Sequence, residues 1–164
     1  MNEIFKRRSI RKYLNKEIEE EKIIKILKAG FAAPSARNEQ PWEFYVVQDK
    51  NKIIELSKIS EYCAFAKDAP IVIIPCFKIN EERYEFNLID LSAATENILL
   101  EVSALGLGAC WCAVSPRQDR VEAVEKIINI KEGLKPFALI PVGYPDEEKE
   151  GHDIYKEDSV HFLK

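Results

Sequence analysis

The stretch Ala33-Pro34-Ser35-Ala36-Arg37-Asn38-Glu39-Gln40-Pro41-Trp42 joins a helical pattern to an apolar strand pattern. Pro34 is expected to end the helix, because proline lacks an N–H group and disfavours helical geometry in the residue before it. The loop that follows carries polar side chains at Ser35, Asn38 and Gln40. Such groups suit a flat ligand with polar edges. They equally suit hydrogen bonds to nearby backbone groups, and the loop alone leaves both interpretations open.

A dense basic cluster, Lys6-Arg7-Arg8-Ser9-Ile10-Arg11-Lys12, stands near the start of a chain whose formal net charge is −4. It could be an arm that binds nucleic acid, or it could form a single phosphate pocket. The negative charge of the whole chain and the lack of a second basic region disfavour nucleic acid as a partner. Ser9 and the apolar Ile4, Phe5 and Ile10 interleave with the cations, which favours a folded pocket.

Taken together, these two stretches resemble the flavin-binding segments of the nitroreductase family. The matching patterns are Arg-x-Ser-x-Arg near the start and Pro-Ser-x-x-Asn-x-Gln-Pro-Trp in the loop. Two further segments, Leu105–Trp111 and Pro141–Pro145, also match in order, so the resemblance covers nearly the whole chain. It implies a single flavin-binding domain over residues 1–164, which is a suitable length for one domain with a substantial core.

The resemblance also implies a cofactor, FMN, and roles for particular residues. It assigns Arg7, Arg8, Ser9 and Arg11 to the FMN phosphate and pyrimidine side; Pro34, Ser35, Ala36 and Asn38 to a loop that the other subunit lays against the flavin; Gln40 to bracing that loop; and Trp111, Cys112 and Ala113 to the segment beside the ring. The implied reaction is a ping-pong transfer of two electrons from NADH or NADPH to a nitroaromatic, a quinone or a related small-molecule acceptor. No side chain is expected to be catalytic, because the flavin carries the chemistry. Dehydrogenation, dehalogenation and flavin binding without turnover are the alternatives.

The tail after Asp146 departs from the family pattern at one position. Family members commonly carry a basic residue in the tail that also meets the phosphate, but the matching position here is Ile154, and Lys156 is the nearest substitute. The chain has only two histidines, His152 and His161, both in this tail. That arrangement disfavours a hydrolase that depends on histidine, and we expect both histidines to lie apart from the flavin chemistry.

Apolar periodicity and the family resemblance together predict an α+β fold, in which helices flank a mixed, mainly antiparallel sheet. The predicted helices are 2–8, 19–32, 50–60, 87–105 and 117–129, and the predicted strands are Trp42–Gln48, Ala69–Phe77, Ala109–Val114 and Phe137–Gly143. The first two strands are apolar enough to be covered on both faces. Pro141 predicts an edge position or a bulge for the last strand. The helix at 87–105 is apolar around much of its circumference, which indicates burial in the core or a subunit interface. The resemblance favours the interface of a homodimer.

The four cysteines, Cys63, Cys76, Cys110 and Cys112, fit neither a zinc site nor a Cys-x-x-Cys redox motif, so no metal is expected. We expect reduced, buried thiols, with Cys110 and Cys112 on opposite faces of their strand. The start of the chain lacks the apolar run of a signal peptide, and no stretch is long enough to span a membrane. A cytoplasmic location is therefore expected.

Overall fold

The computed structural model describes residues 3–163, apart from the side chain of Glu81. Asn2, where the first helix was expected to begin, lies outside the described residues. The elements are α1 (Glu3–Lys6), α2 (Glu20–Phe31), β1 (Trp42–Val47), α3 (Lys50–Leu56), β2 (Ile71–Lys78), α4 (Tyr84–Ala104), β3 (Gly108–Ala109), β4 (Cys112–Ala113), α5 (Gln118–Ile128), β5 (Leu134–Pro136) and β6 (Ala138–Gly143). Short 3₁₀ helices lie at Ala36–Asn38, Glu61–Asp68, Glu81–Arg83 and Glu157–Ser159.

The strands form one six-stranded sheet with the order β1-β2-β6-β3, in which β4 also pairs with β6 and β5 also pairs with β2. Every strand pairing is antiparallel. A parallel bridge between Ser9 and Ala109 makes the sheet mixed, so the predicted fold class is confirmed. β2 is buried from Ile71 to Phe77, as expected. β1 is an edge strand with a half-buried middle. Its side chains pack on both faces as predicted, with Tyr45 and Val47 in one core cluster and Phe44 and Val46 against another.

Helices cover the sheet on both sides, and β2 shows why. Val72 and Ile74 point into a core formed with α3 and α5. Ile71 and Ile73 point into a second core formed with α2 and α4. This alternation follows from the extended backbone, on which successive side chains point to opposite faces. The sequence run is apolar without interruption because the strand is buried on both faces.

Pro141 explains a gap in the sheet. β6 lies between β2 and the pair β3 and β4, so the edge position predicted for it was wrong. Ala109 pairs with Val142 and Cys112 pairs with Leu139, which is one continuous register. Cys110 and Trp111 lie between these pairs, opposite the residues Ile140 and Pro141. Because proline has no N–H group to donate, the ladder is interrupted there. The strand predicted over 109–114 is therefore two short strands.

Tyr144 ties the end of β6 to the start of α2. Its hydroxyl group lies 2.7 and 2.8 Å from the two carboxylate oxygens of Glu19, to which it donates. The same hydroxyl accepts a hydrogen bond from Lys22 Nζ at 2.7 Å. The hydrogen bond from Tyr144 is the main reason that the pKa of Glu19 falls from 4.5 to about 2.

We expect Tyr144→Phe to reduce stability in a manner that depends on pH. Because the pKa of Glu19 is lower in the folded chain, its contribution is fully present above about pH 4.5 and is lost as the pH falls toward about 2. The difference in free energy of unfolding between the parent and the variant should therefore narrow over this interval. Urea unfolding at several pH values measures it. A difference that stays constant would contradict the assignment to Glu19.

Candidate functional site

The basic cluster is held against the sheet edge by backbone contacts. Ile10 N donates to Ala109 O at 2.9 Å, beside the bridge between Ser9 and Ala109. Gly108 permits this approach, because a Cβ atom there would lie 2.7 Å from Ile10 Cβ. The cluster is therefore part of the folded structure, as the interleaved apolar residues predicted.

Four cations surround one cavity of about 330 Å³ next to the end of β3. Its lining residues are Arg7, Arg8, Ser9, Arg11, Lys149 and His152. Three of the cations have partners in the structure: Arg7 Nε lies 3.2 Å from Glu96 Oε1, Lys149 Nζ lies 3.1 Å from Glu147 Oε1, and Arg8 contacts the His152 ring. Within residues 3–163 the Arg11 guanidinium forms no ion pair, and it packs over the Phe65 ring at 5.8 Å. This concentration of donors suits a phosphate-like dianion.

The sequence interpretation missed two residues of this cavity, Lys149 and His152. The tail returns across the cluster because Tyr13 forms a bridge with Pro145 and Asp146 N donates to Lys12 O at 2.9 Å. Lys149 Nζ then reaches Ser9 O at 2.7 Å. Ile154 and Lys156 are exposed and do not line the cavity. His152 thus lines the cavity, and the expectation that it takes no part in the flavin chemistry stays a prediction.

A larger cavity, about 460 Å³, adjoins the first and shares Arg8 and Lys149 with it. Its floor is apolar and includes Leu99, Val102 and Leu107. Its rim carries both acidic and basic side chains. The smaller cavity, called the anion cavity from here on, suits an anion better than the larger one does. Its lining is polar, and the described residues that line it include no carboxylate.

The loop from Pro34 to Pro41 has hydrogen bonds of its own. Gln40 N donates to Ser35 Oγ at 2.9 Å, and Gln40 Nε2 donates to Asn38 Oδ1 at 3.2 Å. The amides of Asn38 and Gln40 thus bond to each other, and the backbone bond goes to Ser35. Two contacts with the α4 region fix the loop from outside: Ala36 N donates to Asp90 Oδ1 at 2.9 Å, and Arg83 Nε lies 3.1 Å from Glu39 Oε2.

Three residues of the loop have left-handed backbone conformations. The φ angles are 57° at Arg37, 57° at Asn38 and 46° at Gln40. A side chain on such a residue costs roughly 1–2 kcal/mol relative to ordinary geometry. Strain of this kind persists only where surrounding contacts impose it, and it is concentrated at functional sites.

The third predicted segment occupies the gap between β3 and β4. The Trp111 ring packs 5.5 Å from the Phe137 ring. The Cys112 side chain is buried in the core, whereas Ala113 is exposed. Ala113 O accepts a hydrogen bond from Arg120 Nη1 at 2.8 Å. Cys112 can therefore meet a surface ligand only through its backbone.

The structure brings the predicted residues together in two groups. The arginine cluster, Ser9 and β3 form one group with the tail. The loop forms the other, because its ends Ala33 and Trp42 are buried in a cluster against which Trp111 also packs. Among the described residues no hydrogen bond joins the loop to the arginine cluster. The implication of the resemblance, that the loop serves the flavin of the other subunit, stays a prediction.

Cys63, Cys110 and Cys112 share one buried cluster. The prediction that Cys110 and Cys112 face opposite sides was wrong, because residues two apart on an extended chain point to the same side. Interaction with the Cys112 thiol is the main reason that the pKa of Cys110 lies below its usual value, and the charge of Arg11 and the Ser9 hydroxyl also lower it. No helix in the described part of the chain is long and apolar enough to cross a bilayer.

Comparison with known proteins finds a family model and several relatives that match this chain. The model of the nitroreductase family matches residues 4–64 and 57–144. A relative from Methanothermobacter thermautotrophicus named "Putative NADH dehydrogenase/NAD(P)H nitroreductase" is 43% identical over 159 residues, which cover 96% of this chain and 83% of the relative. The structure of an FMN-dependent nitroreductase from Clostridium difficile superposes with a TM-score of 0.91 at 35% identity, covering 99% of this chain and 98% of that one.

A more distant relative carries a different activity in its name. The iodotyrosine deiodinase of Thermotoga neapolitana is 25% identical over 169 residues, covering 88% of this chain and 87% of the relative. The family match, the identities and the shared fold lead to one conclusion: this chain belongs to the nitroreductase family.

Proposed function

We propose that this protein is an FMN-dependent oxidoreductase that transfers two electrons from NADH or NADPH to a small-molecule acceptor such as a nitroaromatic or a quinone. The observation that carries the proposal is the anion cavity of Arg7, Arg8, Ser9, Arg11, Lys149 and His152. Bound FMN would supply the electron transfer, accepting electrons from the nicotinamide and then donating them to the acceptor in a ping-pong sequence. The protein supplies binding, orientation and electrostatics.

The cavity residues would hold the phosphate. Guanidinium groups give forked, charge-assisted hydrogen bonds to phosphate oxygens. Of the four cations, Arg7 and Lys149 are paired with carboxylates, whereas Arg8 and Arg11 form no ion pair with a carboxylate of the described residues. The Ser9 hydroxyl adds an uncharged donor. Lys149 would take the role of the basic tail residue that family members commonly carry at the position of Ile154. Together with Arg8, it would bring the tail onto the cofactor.

The loop and the segment Trp111–Ala113 would place the ring. The hydrogen bond from Gln40 to Asn38 Oδ1 leaves the Asn38 amide nitrogen available for an acceptor on the flavin edge. The backbone of residues Pro34, Ser35 and Ala36 would contact the flavin ring. At Trp111–Ala113 the contact would also be made by the backbone, because the Cys112 thiol is buried.

A homodimer would complete each site. α4 exposes apolar side chains on its outer face, with Phe86 48% and Ile89 65% accessible. The tail exposes Phe162 and Leu163 at 82% and 97%. Large apolar side chains that water reaches so fully favour a second chain as the cover. In that assembly the loop of one subunit would lie on the flavin of the other. The family match over residues 4–144 supports a single domain, and the four reduced cysteines support a cytoplasmic location.

The experiment starts from protein purified with excess FMN. The flavin released on denaturation should have the mass of FMN. Light scattering of the FMN-loaded protein should give the molar mass of two chains. Under anaerobic conditions NADH or NADPH should bleach the flavin absorbance, and an acceptor added afterwards should restore it. Absence of flavin binding would refute the proposal. Flavin binding without bleaching would show that the protein binds the flavin but does not turn over.

The second candidate is reductive dehalogenation by the same bound flavin, which the similarity to the Thermotoga deiodinase favours. The two candidates differ in the acceptor alone. Reduced protein should be mixed separately with a nitroaromatic, a quinone and an iodinated phenol. Reoxidation by the iodinated phenol, with release of iodide, would select dehalogenation.

A further inference from the structure

Asp90 has a buried carboxylate that contacts the loop from Pro34 to Pro41, although Asp90 itself lies on a helix. It stands in α4, where the residue is 5% exposed. Its Oδ1 atom accepts a hydrogen bond from Ala36 N at 2.9 Å, and its Oδ2 atom is buried without a partner among the described residues. Burying a charged group with one oxygen unsatisfied destabilises a protein. Among the described residues, the hydrogen bond to the loop is the contact that offsets this cost.

The loop needs such an anchor. It passes through left-handed conformations at Arg37, Asn38 and Gln40, which ordinary side chains disfavour. The bond to Asp90 fixes the residue just before this strained turn. The ion pair of Glu39 with Arg83 fixes the turn itself, but the Glu39 side chain is 39% exposed, so solvent weakens that contact. Asp90 is therefore the stronger of the two anchors.

We infer that Asp90 is a positioning residue, whose buried carboxylate holds the loop 35–40 in the conformation that contacts the flavin. The inference rests on the proposed function for the role of the loop, but the anchor itself is a property of the chain alone. Asp90 touches the loop backbone and would act on the flavin through it. No part of the inference requires Asp90 to gain or lose a proton.

The experiment compares three single variants of the full chain. Asp90→Ala removes the acceptor, Asp90→Asn keeps an acceptor oxygen in the same place, and Ser92→Ala is the matched control. Ser92 lies on the same helix, and its hydroxyl bonds to Leu88 O rather than to the loop. Two quantities are measured: the rate at which trypsin cleaves after Arg37 in the flavin-free protein, and the dissociation constant of FMN.

We expect Asp90→Ala to raise the cleavage rate and weaken FMN binding, each by about tenfold, as for loss of one hydrogen bond that leaves the Ala36 N–H without its acceptor. Asp90→Asn and Ser92→Ala should stay within about twofold of the parent in both, since neither removes the acceptor for Ala36 N. Unchanged cleavage and binding in Asp90→Ala would overturn the inference. So would an Asp90→Asn variant as impaired as Asp90→Ala, because the charge rather than the bond would then matter.

Hydrogen exchange at the Ala36 amide tests the anchor without any substitution, in case Asp90→Ala does not fold. The amide should exchange much more slowly than an exposed loop amide, and exchange at the rate of an unstructured chain would overturn the inference. The two proposals fail separately. If the parent protein binds no FMN, the proposed function fails while cleavage and exchange still decide the anchor. If FMN binds normally to Asp90→Ala, the positioning role toward the flavin fails and the proposed function stands.

Discussion

Replacing Arg11 with alanine is expected to weaken FMN binding by about 10- to 100-fold, whereas Lys12→Ala should change it less than about fivefold. A charge-assisted hydrogen bond to phosphate contributes about 1.5–3 kcal/mol, and a factor of ten in affinity corresponds to about 1.4 kcal/mol. An exposed lysine that touches no ligand contributes under about 1 kcal/mol.

The structure separates these two neighbours clearly. Arg11 lines the anion cavity and packs over Phe65, so its guanidinium is partly oriented before any ligand arrives. Lys12 is exposed and does not line the cavity. Its backbone carbonyl accepts a hydrogen bond from Asp146 N at 2.9 Å. Lys12→Ala keeps that bond and removes one positive charge, which makes it a matched control for net charge.

Titration of the flavin-free protein with FMN, followed by quenching of flavin fluorescence, measures both variants. The titration should be repeated at higher salt, because screening weakens diffuse electrostatic attraction more than a direct contact. Equal losses for Arg11→Ala and Lys12→Ala would show that the cluster acts only as a general positive field. That result would remove the cavity from its proposed role as the phosphate site.

Gly108→Ala is expected to destabilise the fold and weaken FMN binding together. The added Cβ would lie 2.7 Å from both Cβ and Cγ2 of Ile10, and these atoms cannot swing away as the end of a long side chain could. Overpacking of this kind costs about 1–3 kcal/mol. The strain would push the N-terminal segment off β3. Because Ile10 lies between Ser9 and Arg11, both would move out of the cavity.

Gly106→Ala is the control for this experiment. Gly106 has a φ of 71°, and a Cβ there would meet no atom within 4 Å. The variant should lose roughly 1 kcal/mol through backbone strain while FMN binding stays close to that of the parent. Chemical denaturation and FMN titration measure the two effects. Unaltered FMN binding in Gly108→Ala would contradict the claim that contact with β3 positions the arginine cluster.

The sequence by itself determined the elements whose patterns are local. Apolar spacing located every described α-helix of more than six residues and the strands β1, β2 and β6, because a buried face repeats at the period of its own backbone. It also determined the family, because the basic cluster and the loop are each continuous in sequence. Their residues can be matched without any knowledge of what lies next to them in space. The placement of the arginine cluster in a folded pocket followed from the same local pattern.

Tertiary structure alone decided which distant residues complete the site. Lys149 stands between two glutamates and shows no motif, yet the return of the tail past Lys12 brings it to Ser9. Asp90 reads as an ordinary polar position on a helix until the loop is seen to bond to it. The missed strand β5 and the interruption opposite Pro141 depend on neighbouring strands in the same way. Local patterns record which way a side chain faces, whereas these features depend on which part of the chain lies opposite, and packing fixes that only when the whole chain folds.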